Sequence, residues 1–365
     1  MGPAYVGLMS GTSMDGIDAA LVSFSADRIK LHATHTLPYP DDLRRHLQRV
    51  SQNQGTPDDV GHLDHQVGRL FAETAAGVLR HPNARGLDVV AIGSHGQTIR
   101  HQPRGEAPFS MQLGDPNLIA EHTGIATVAD FRRRDMAAGG EGAPLVPAFH
   151  QSFFGHPSQQ RCIVNIGGIA NISSLSPTEP RVLGFDTGPG NALMDAWCQD
   201  QLGKPYDADG HWAAEGRVHQ ALLSDLLSDA YFALPAPKST GKEKFNLDWI
   251  RTALARHPGI EAVDVQRTLL ELTVISITKQ LPECPDLKIY VCGGGVRNRV
   301  LLQELRRACT PFKVCSTEEL GLDPQWVEAT AFAWLARQTI NRLPGNLPEV
   351  TGARGPRLLG AVYYP

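Results

Sequence analysis

The chain has 365 residues, 42% of them hydrophobic and 20% charged, an ordinary globular balance over a length that calls for two domains rather than one core. A formal net charge of −4 argues against nucleic acid and an anionic membrane as partners held by bulk electrostatics, while leaving room for a local basic cluster on a small anion. The six cysteines (Cys162, Cys198, Cys284, Cys292, Cys309, Cys315) form no CxxC pair and no zinc-spaced cluster, no Lys or Arg precedes Arg28, and no apolar run is long enough to span a membrane, so a cytoplasmic protein is expected.

"AYVGLMSGTSMDGIDAALVSF" reads as strand, glycine turn, strand, with Ile17, Ala19 and Leu21 on one face of the second strand and Ala20 and Val22 on the other. "KLHATHTLPY" alternates and suits a third strand. "DDLRRHLQRV" has helical spacing behind two aspartates. "DVGHLDHQVGRLFAETAAGVLRH" is a longer amphipathic helix whose stripe of Leu63, Val67, Leu70, Phe71 and Val78 is interrupted only by Thr74. "DVVAIGSHGQTIRHQP" is a buried strand leading into a polar loop. "ATVADFRRRDMAAGGEGAPLVP" is glycine-rich and charged, as a crossover between domains would be.

The second half repeats the opening theme. "RCIVNIGGIANISSL" is again strand, glycine turn, strand, and "VLGFDTGPGNALMDAWC" is a strand ending at Asp186, a turn, and a helix from near Asn191. "RTLLELTVISITKQL" and "QWVEATAFAWLARQTI" read as helices, and "DLKIYVCGGGVRNRVLLQELRRAC" as a buried strand, a triple glycine and a helix. The repeated opening predicts a duplicated architecture: an N-terminal α/β domain over 1–130, joined by 345–365, and a C-terminal α/β domain over 131–344.

Glycine turns after strands let backbone N–H groups approach phosphate oxygens, and serine or threonine adds donors. Three such turns stand in this chain: Ser10 to Asp18 (Ser10, Gly11, Thr12, Ser13, Met14, Asp15, Gly16, Ile17, Asp18), Gly167–Gly168, and Gly293, Gly294, Gly295 with Asn298. The first competes with a plain hairpin and the last with close strand–helix packing. There is no GxxxxGK[ST] and no GxGxxG near the N-terminus, which excludes a P-loop and argues against a dinucleotide fold. Asp186, at a strand's C-terminal end, suits a general base; its competing role is helix capping, for which Pro189 and Asn191 are better placed. His62 and His65 flank Asp64 at helical spacing, but with no second cluster a solvated helix face is the better reading than a metal site.

Taken together, "GLMSGTSMDGID", "GSHGQT", "DFRRRDMAAGGEGAPLVP", "NIGGIANIS", "GFDTGPGN" and "CGGGVRN" resemble, in order and over nearly the whole chain, the bacterial anhydro-N-acetylmuramic acid kinases. The resemblance implies the fold of the actin, acetate kinase and hexokinase superfamily: two related α/β domains of the ribonuclease H-like type with ATP in an interdomain cleft. It implies a kinase that opens the 1,6-anhydro ring of anhydro-N-acetylmuramic acid with water and phosphorylates O6, giving N-acetylmuramic acid 6-phosphate in cell-wall sugar recycling. ATP and Mg²⁺ are the implied cofactors and a small sugar the partner; a homodimer stays open.

The same resemblance assigns the opening turn to ATP. It implies Asp186 as base toward the water that attacks C1, with Glu328 second in line or positioning substrate. Arg132 is then expected on the lactyl carboxylate, and His95 and Gln97 on sugar hydroxyls or the N-acetyl group. The aspartate with which the superfamily usually begins each phosphate turn is absent here; Gly7 or Leu8 stands at the first place and Asn165 at the second. The metal ligands are therefore unknown, Asp15 and Asp18 being the acids at hand. A non-catalytic, ATP-driven actin-like switch and a serine hydrolase built on Ser10 or Ser13 are the competing classes. The sugar-facing loop argues against the first and the lack of a GxSxG elbow against the second.

Overall fold

The computed structural model describes residues 2–25, 28–178, 182–236 and 238–365. They form two compact units: Met1–Phe154 with Trp326–Pro365, and Gly155–Gln325. The sequence boundaries were expected at 130/131 and 344/345. The units divide later and rejoin earlier, because the stretch from Thr127 builds a strand and two helices before the chain leaves, and a C-terminal helix returns at Val327.

In the first unit, β1 (Ala4–Ser10), β2 (Gly16–Phe24) and β3 (Ile29–Pro38) form an antiparallel meander. β4 (Val89–Gln102) then adds parallel to β1, and β6 (Thr127–Ala129) parallel to β4. β5 (Phe109–Leu113) pairs β4, and the last strand of the chain, β12 (Ala361–Tyr363), closes on β6. In the second unit, β7 (Arg161–Ile166), β8 (Ile169–Leu175) and β9 (Val182–Pro189) repeat the meander, and β10 (Lys288–Cys292) and β11 (Lys313–Ser316) add in parallel on the other side of β7. The orders β3-β2-β1-β4-β6 and β9-β8-β7-β10-β11 are the same, with the same strand directions. The duplication is what the repeated strand–glycine–strand opening predicts, and the strand order is that of the ribonuclease H-like, actin and hexokinase type that the resemblance implies.

Each unit has its own core. In the first, the helix Pro57–Leu79 opens on a capping box, Thr56 Oγ1 accepting from Asp59 N while Asp59 Oδ2 accepts from Thr56 N. It buries Leu63, Val67, Phe71 and Val78 against β1 and β2 residues such as Leu8 and Ile17. Thr74 fits that stripe because its hydroxyl donates to Leu70 O at 2.6 Å. His62 and His65 are exposed on the opposite face, as a solvated surface. On the other side of the sheet lies the helix Val327–Ile340, and here backbone meets backbone. A Cβ on Gly7 would overlap Ala329 O, and one on Gly93 would overlap Phe332 O. Only glycine in β1 and β4 admits this helix at that depth.

Two elements run further than the sequence suggests. "GSHGQTIRHQ" is strand, not loop: β4 continues to Gln102 and pairs β5. Gly96, at φ +73°, absorbs an extra residue where Leu8 pairs Ser94 but Ser10 pairs Gln97. Likewise β9 does not end at Asp186; it continues to Pro189, slipping register between Ala170 and Asn171.

Candidate active site

The opening turn is built from the inside out. Ser10 is buried, and its hydroxyl lies 2.8 Å from Gly16 O and 2.7 Å from Gln97 Oε1. Gln97 Nε2 donates to Gly11 O at 3.2 Å and Thr98 O at 3.1 Å. Gln97 is therefore fully buried with its amide spent on the turn, a brace across strands rather than a group facing a sugar. Met14 holds a left-handed backbone, φ 57°, and drops its side chain into the core beside Ile17. That leaves Gly11, Thr12, Ser13 and Asp15 reaching the surface, with Asp18 half-buried and its Oδ1 accepting from Thr36 Oγ1 at 2.6 Å. Gly11 has no positive φ, and a Cβ there would meet nothing nearer than Ser13 Oγ at 3.7 Å. Met14 N donates to Gly11 O at 3.2 Å and closes the turn, and Gly11 is the position left open to an approaching group.

His95 and Arg132, from separate elements of the same unit, meet. Arg132 Nη2 donates to His95 Nε2 at 2.9 Å. Burial first, and the Arg132 charge second, push the His95 imidazole down to about 3. The ring is therefore neutral, carries its proton on Nδ1, and accepts from a guanidinium that can only donate. It packs on Phe332 with ring centroids 4.7 Å apart. His101 is pushed down to about 4 by the same two causes, and its Nδ1 lies 3.0 Å from Ser110 Oγ. Arg132 thus sits among neutral imidazoles, while Arg133 pairs with Asp130 and Arg134 is exposed. The segment is fixed by Asp135, fully buried, whose carboxylate accepts from Gly142 N (2.8 Å), Asn346 Nδ2 (2.6 Å) and Thr351 Oγ1 (2.8 Å).

In the second unit the Gly167–Gly168 turn is pinned from behind. Gly190 N and Ala192 N donate to Gly168 O, Asn191 N donates to Gly167 O, and Asn191 Nδ2 lies 3.2 Å and 3.1 Å from the Ile166 and Gly167 carbonyls. Asn191 stands at the N-cap of the helix Ala192–Leu202, yet its side chain serves this turn instead of capping. In the triple glycine, Gly293 (φ +83°) abuts Asn165 and Gly295 abuts Ile166, so both are packing glycines; a Cβ on Gly294 would meet nothing within 4 Å. Asn298 caps the helix Arg299–Ala308, its Oδ1 accepting from Leu301 N at 2.9 Å.

Asp186 lies half-buried on β9, the outer strand of its sheet. Its Oδ2 accepts from Ser239 Oγ and from Thr240 N, each at 3.0 Å, its own N donates to Lys238 O, and its carbonyl accepts from Tyr231 OH at 2.7 Å. None of these partners stands out in the sequence: "KSTGK" lies over fifty residues from Asp186 and carries no periodic pattern, only a cluster of small polar residues beside a glycine. Glu328 is half-buried in the first turn of the helix Val327–Ile340. Among the described residues no group of three or more His, Cys, Asp or Glu could hold a metal ion, and no helix is long and apolar enough to cross a membrane.

A family model described as anhydro-N-acetylmuramic acid kinase matches residues 3–365. Among curated relatives, the anhydro-N-acetylmuramic acid kinase of Shewanella halifaxensis is 52% identical over 98% of both chains. That of Vibrio cholerae is 51% identical over 99% of this chain and 98% of its own, and that of Coxiella burnetii 50% over 99% and 97%.

Proposed function

The chain belongs to the anhydro-N-acetylmuramic acid kinase family, and from that premise we propose which of its residues carry the reaction. The enzyme is an ATP-dependent phosphotransferase with an alcohol acceptor: it opens the 1,6-anhydro ring of anhydro-N-acetylmuramic acid with water and phosphorylates O6, giving N-acetylmuramic acid 6-phosphate. No finding favours the non-catalytic switch. The six cysteines, none of them in a disulfide among the described residues, support a cytoplasmic address.

The reaction joins two displacements at O6. Water attacks C1 as the C1–O6 bond breaks, and the electron pair left on O6 attacks the γ-phosphorus. A glycosidase needs a second carboxylic acid to protonate its leaving oxygen. Here phosphorus captures that oxygen, and an acid on O6 would remove the electron density phosphoryl transfer needs. One base is enough. Asp186 takes the proton from water, supported by the two donors on Oδ2 that fix its carboxylate plane. Arg132, oriented by neutral His95, takes the lactyl carboxylate. The Gly11–Ser13 backbone and Gly294 take phosphate, and Glu328 assists in placing the sugar. Asp15, which is exposed, and Asp18, whose Oδ1 already accepts from Thr36, are the acids of the turn that would hold Mg²⁺, and the ion would neutralise phosphate charge.

The observation that carries the base assignment is the clamped Asp186 carboxylate. ATP turnover with and without the sugar tests the coupled reading. ADP is expected to form only with sugar present, with one atom of ¹⁸O from labelled water at the anomeric position. Sugar-independent hydrolysis, or label at O6, overturns it.

A further inference from the structure

Lys238 is a lysine almost without access to water, 3% exposed, in a segment whose neighbours hold the Asp186 carboxylate. Its Nζ lies 3.3 Å from Tyr231 O and 3.4 Å from Phe232 O, at the C-terminal end of the short helix Ala230–Ala233, and 4.9 Å from the centre of the Tyr231 ring. Among the described residues no carboxylate pairs with it. Burial lowers its pKa. An ammonium desolvated without an acid partner is costly, and a chain carries one where its position is required.

The contacts close on themselves. Tyr231 OH donates to Asp186 O, Lys238 Nζ donates to Tyr231 O and rests on the Tyr231 ring, and Lys238 O accepts from Asp186 N. The next two residues, Ser239 and Thr240, supply both donors to Asp186 Oδ2. Segment 238–240 therefore runs as a clamp along the outer edge of β9. Lys238 is the pin through which that clamp is tied to the rest of its unit, by three acceptor surfaces: two carbonyls and a ring face.

We propose that Lys238 is a positioning residue for the general base: by anchoring segment 238–240 to Tyr231 and Phe232 it holds the Ser239 and Thr240 donors against the Asp186 carboxylate. The proposal rests on the assignment of Asp186 as base. Side chains that orient a reacting group act on turnover rather than on affinity, and a misplacement of about 1 Å is worth about 100-fold in rate.

The test is Lys238→Met, which keeps the aliphatic stem and removes the ammonium, measured alone and in the Asp186→Asn background, with Lys238→Arg as the conservative variant. Lys238→Met is expected to lower kcat about 10- to 100-fold with KM for ATP and sugar unchanged, Lys238→Arg to recover part of it, and Lys238→Met to cost nothing further in Asp186→Asn. Should Lys238→Met fail to fold, Ser239→Ala, which removes a single donor from Oδ2, must show the same kcat loss and the same non-additivity. A folded Lys238→Met enzyme of wild-type kcat and lowered thermal stability means that the lysine is structural only, and overturns the proposal. So does a loss that adds fully to that of Asp186→Asn. An Asp186→Asn enzyme of near wild-type activity instead overturns the base assignment itself.

Discussion

Arg132 donates to the Nε2 of an imidazole that burial keeps neutral, so a histidine here works as an acceptor and steers a guanidinium. His95→Gln keeps an acceptor and is expected to be mild, whereas Arg132→Met should raise KM for the sugar about 10- to 100-fold, the loss of a charge-assisted hydrogen bond of roughly 1.5–3 kcal/mol. Steady-state kinetics with ATP saturating decides it. An unchanged sugar KM in Arg132→Met removes the lactyl carboxylate from this arginine.

Gly11 and Gly294 are open where Gly293 is not. Gly11→Val and Gly294→Ala meet no backbone and need no positive φ, so both should fold with near wild-type melting temperatures. Both should lose at least about tenfold in ATP affinity, about 1.4 kcal/mol, through a side chain placed where phosphate sits. Gly293→Ala would overlap Asn165 at φ +83° and should be destabilised by roughly 1–3 kcal/mol. Calorimetric titration with a non-hydrolysable ATP analogue separates the two classes. Full affinity in folded Gly11→Val would falsify the phosphate cradle.

Asp186→Asn preserves an oxygen to accept from Ser239 and Thr240 while removing the basic lone pair. Ring opening and phosphorylation should fall together by about 10²–10⁴-fold, with both substrates still binding. Loss of phosphorylation with ring opening intact would separate the two displacements and move the base elsewhere, to Glu328 first.

His95 and His150 are pushed by burial to about 3, and His101 to about 4, from an ordinary 6.5. Folded values lie below unfolded ones, so the unfolded chain binds protons the folded one does not, and stability held above pH 6.5 is lost as pH falls, toward 4 for His101 and toward 3 for His95 and His150. At pH 5 each costs about 2 kcal/mol, about 6 kcal/mol together. All three belong to the first unit, whose melting temperature should drop steeply between pH 7 and 5. His150→Phe, replacing a ring stacked 5.6 Å from Phe154, should flatten that drop by a third. An unchanged slope would count against a neutral buried His150.

What the sequence made legible was local. Both strand–glycine–strand units, the amphipathic helix with its Thr74 gap, and the triple glycine before a helix are written in contiguous residues. Long-range relations were not. The polar string "GSHGQT" suggests a loop, yet Gly96 lets the strand absorb an extra residue and continue, which turns Gln97 inward to Ser10. Asn191 has the chemistry of a helix cap, and only the folded β7–β8 turn behind it shows where its amide goes. The partners of Asp186 come from a segment that alternates in no period and is held by hydrogen bonds to residues distant in the chain.

The helix Val327–Ile340 is seated on β1 and β4 by two notches, each a carbonyl lodged where glycine has no side chain. Such seating behaves as a detent: the helix cannot creep along the sheet by fractions of an ångström, because either carbonyl leaving its notch meets the Cβ of a neighbouring strand residue. β1 delivers the opening turn, β4 delivers His95, and the first turn of the helix delivers Glu328. These three groups are therefore indexed to one another like marks on a single rule, and whatever motion accompanies turnover must carry them as one piece.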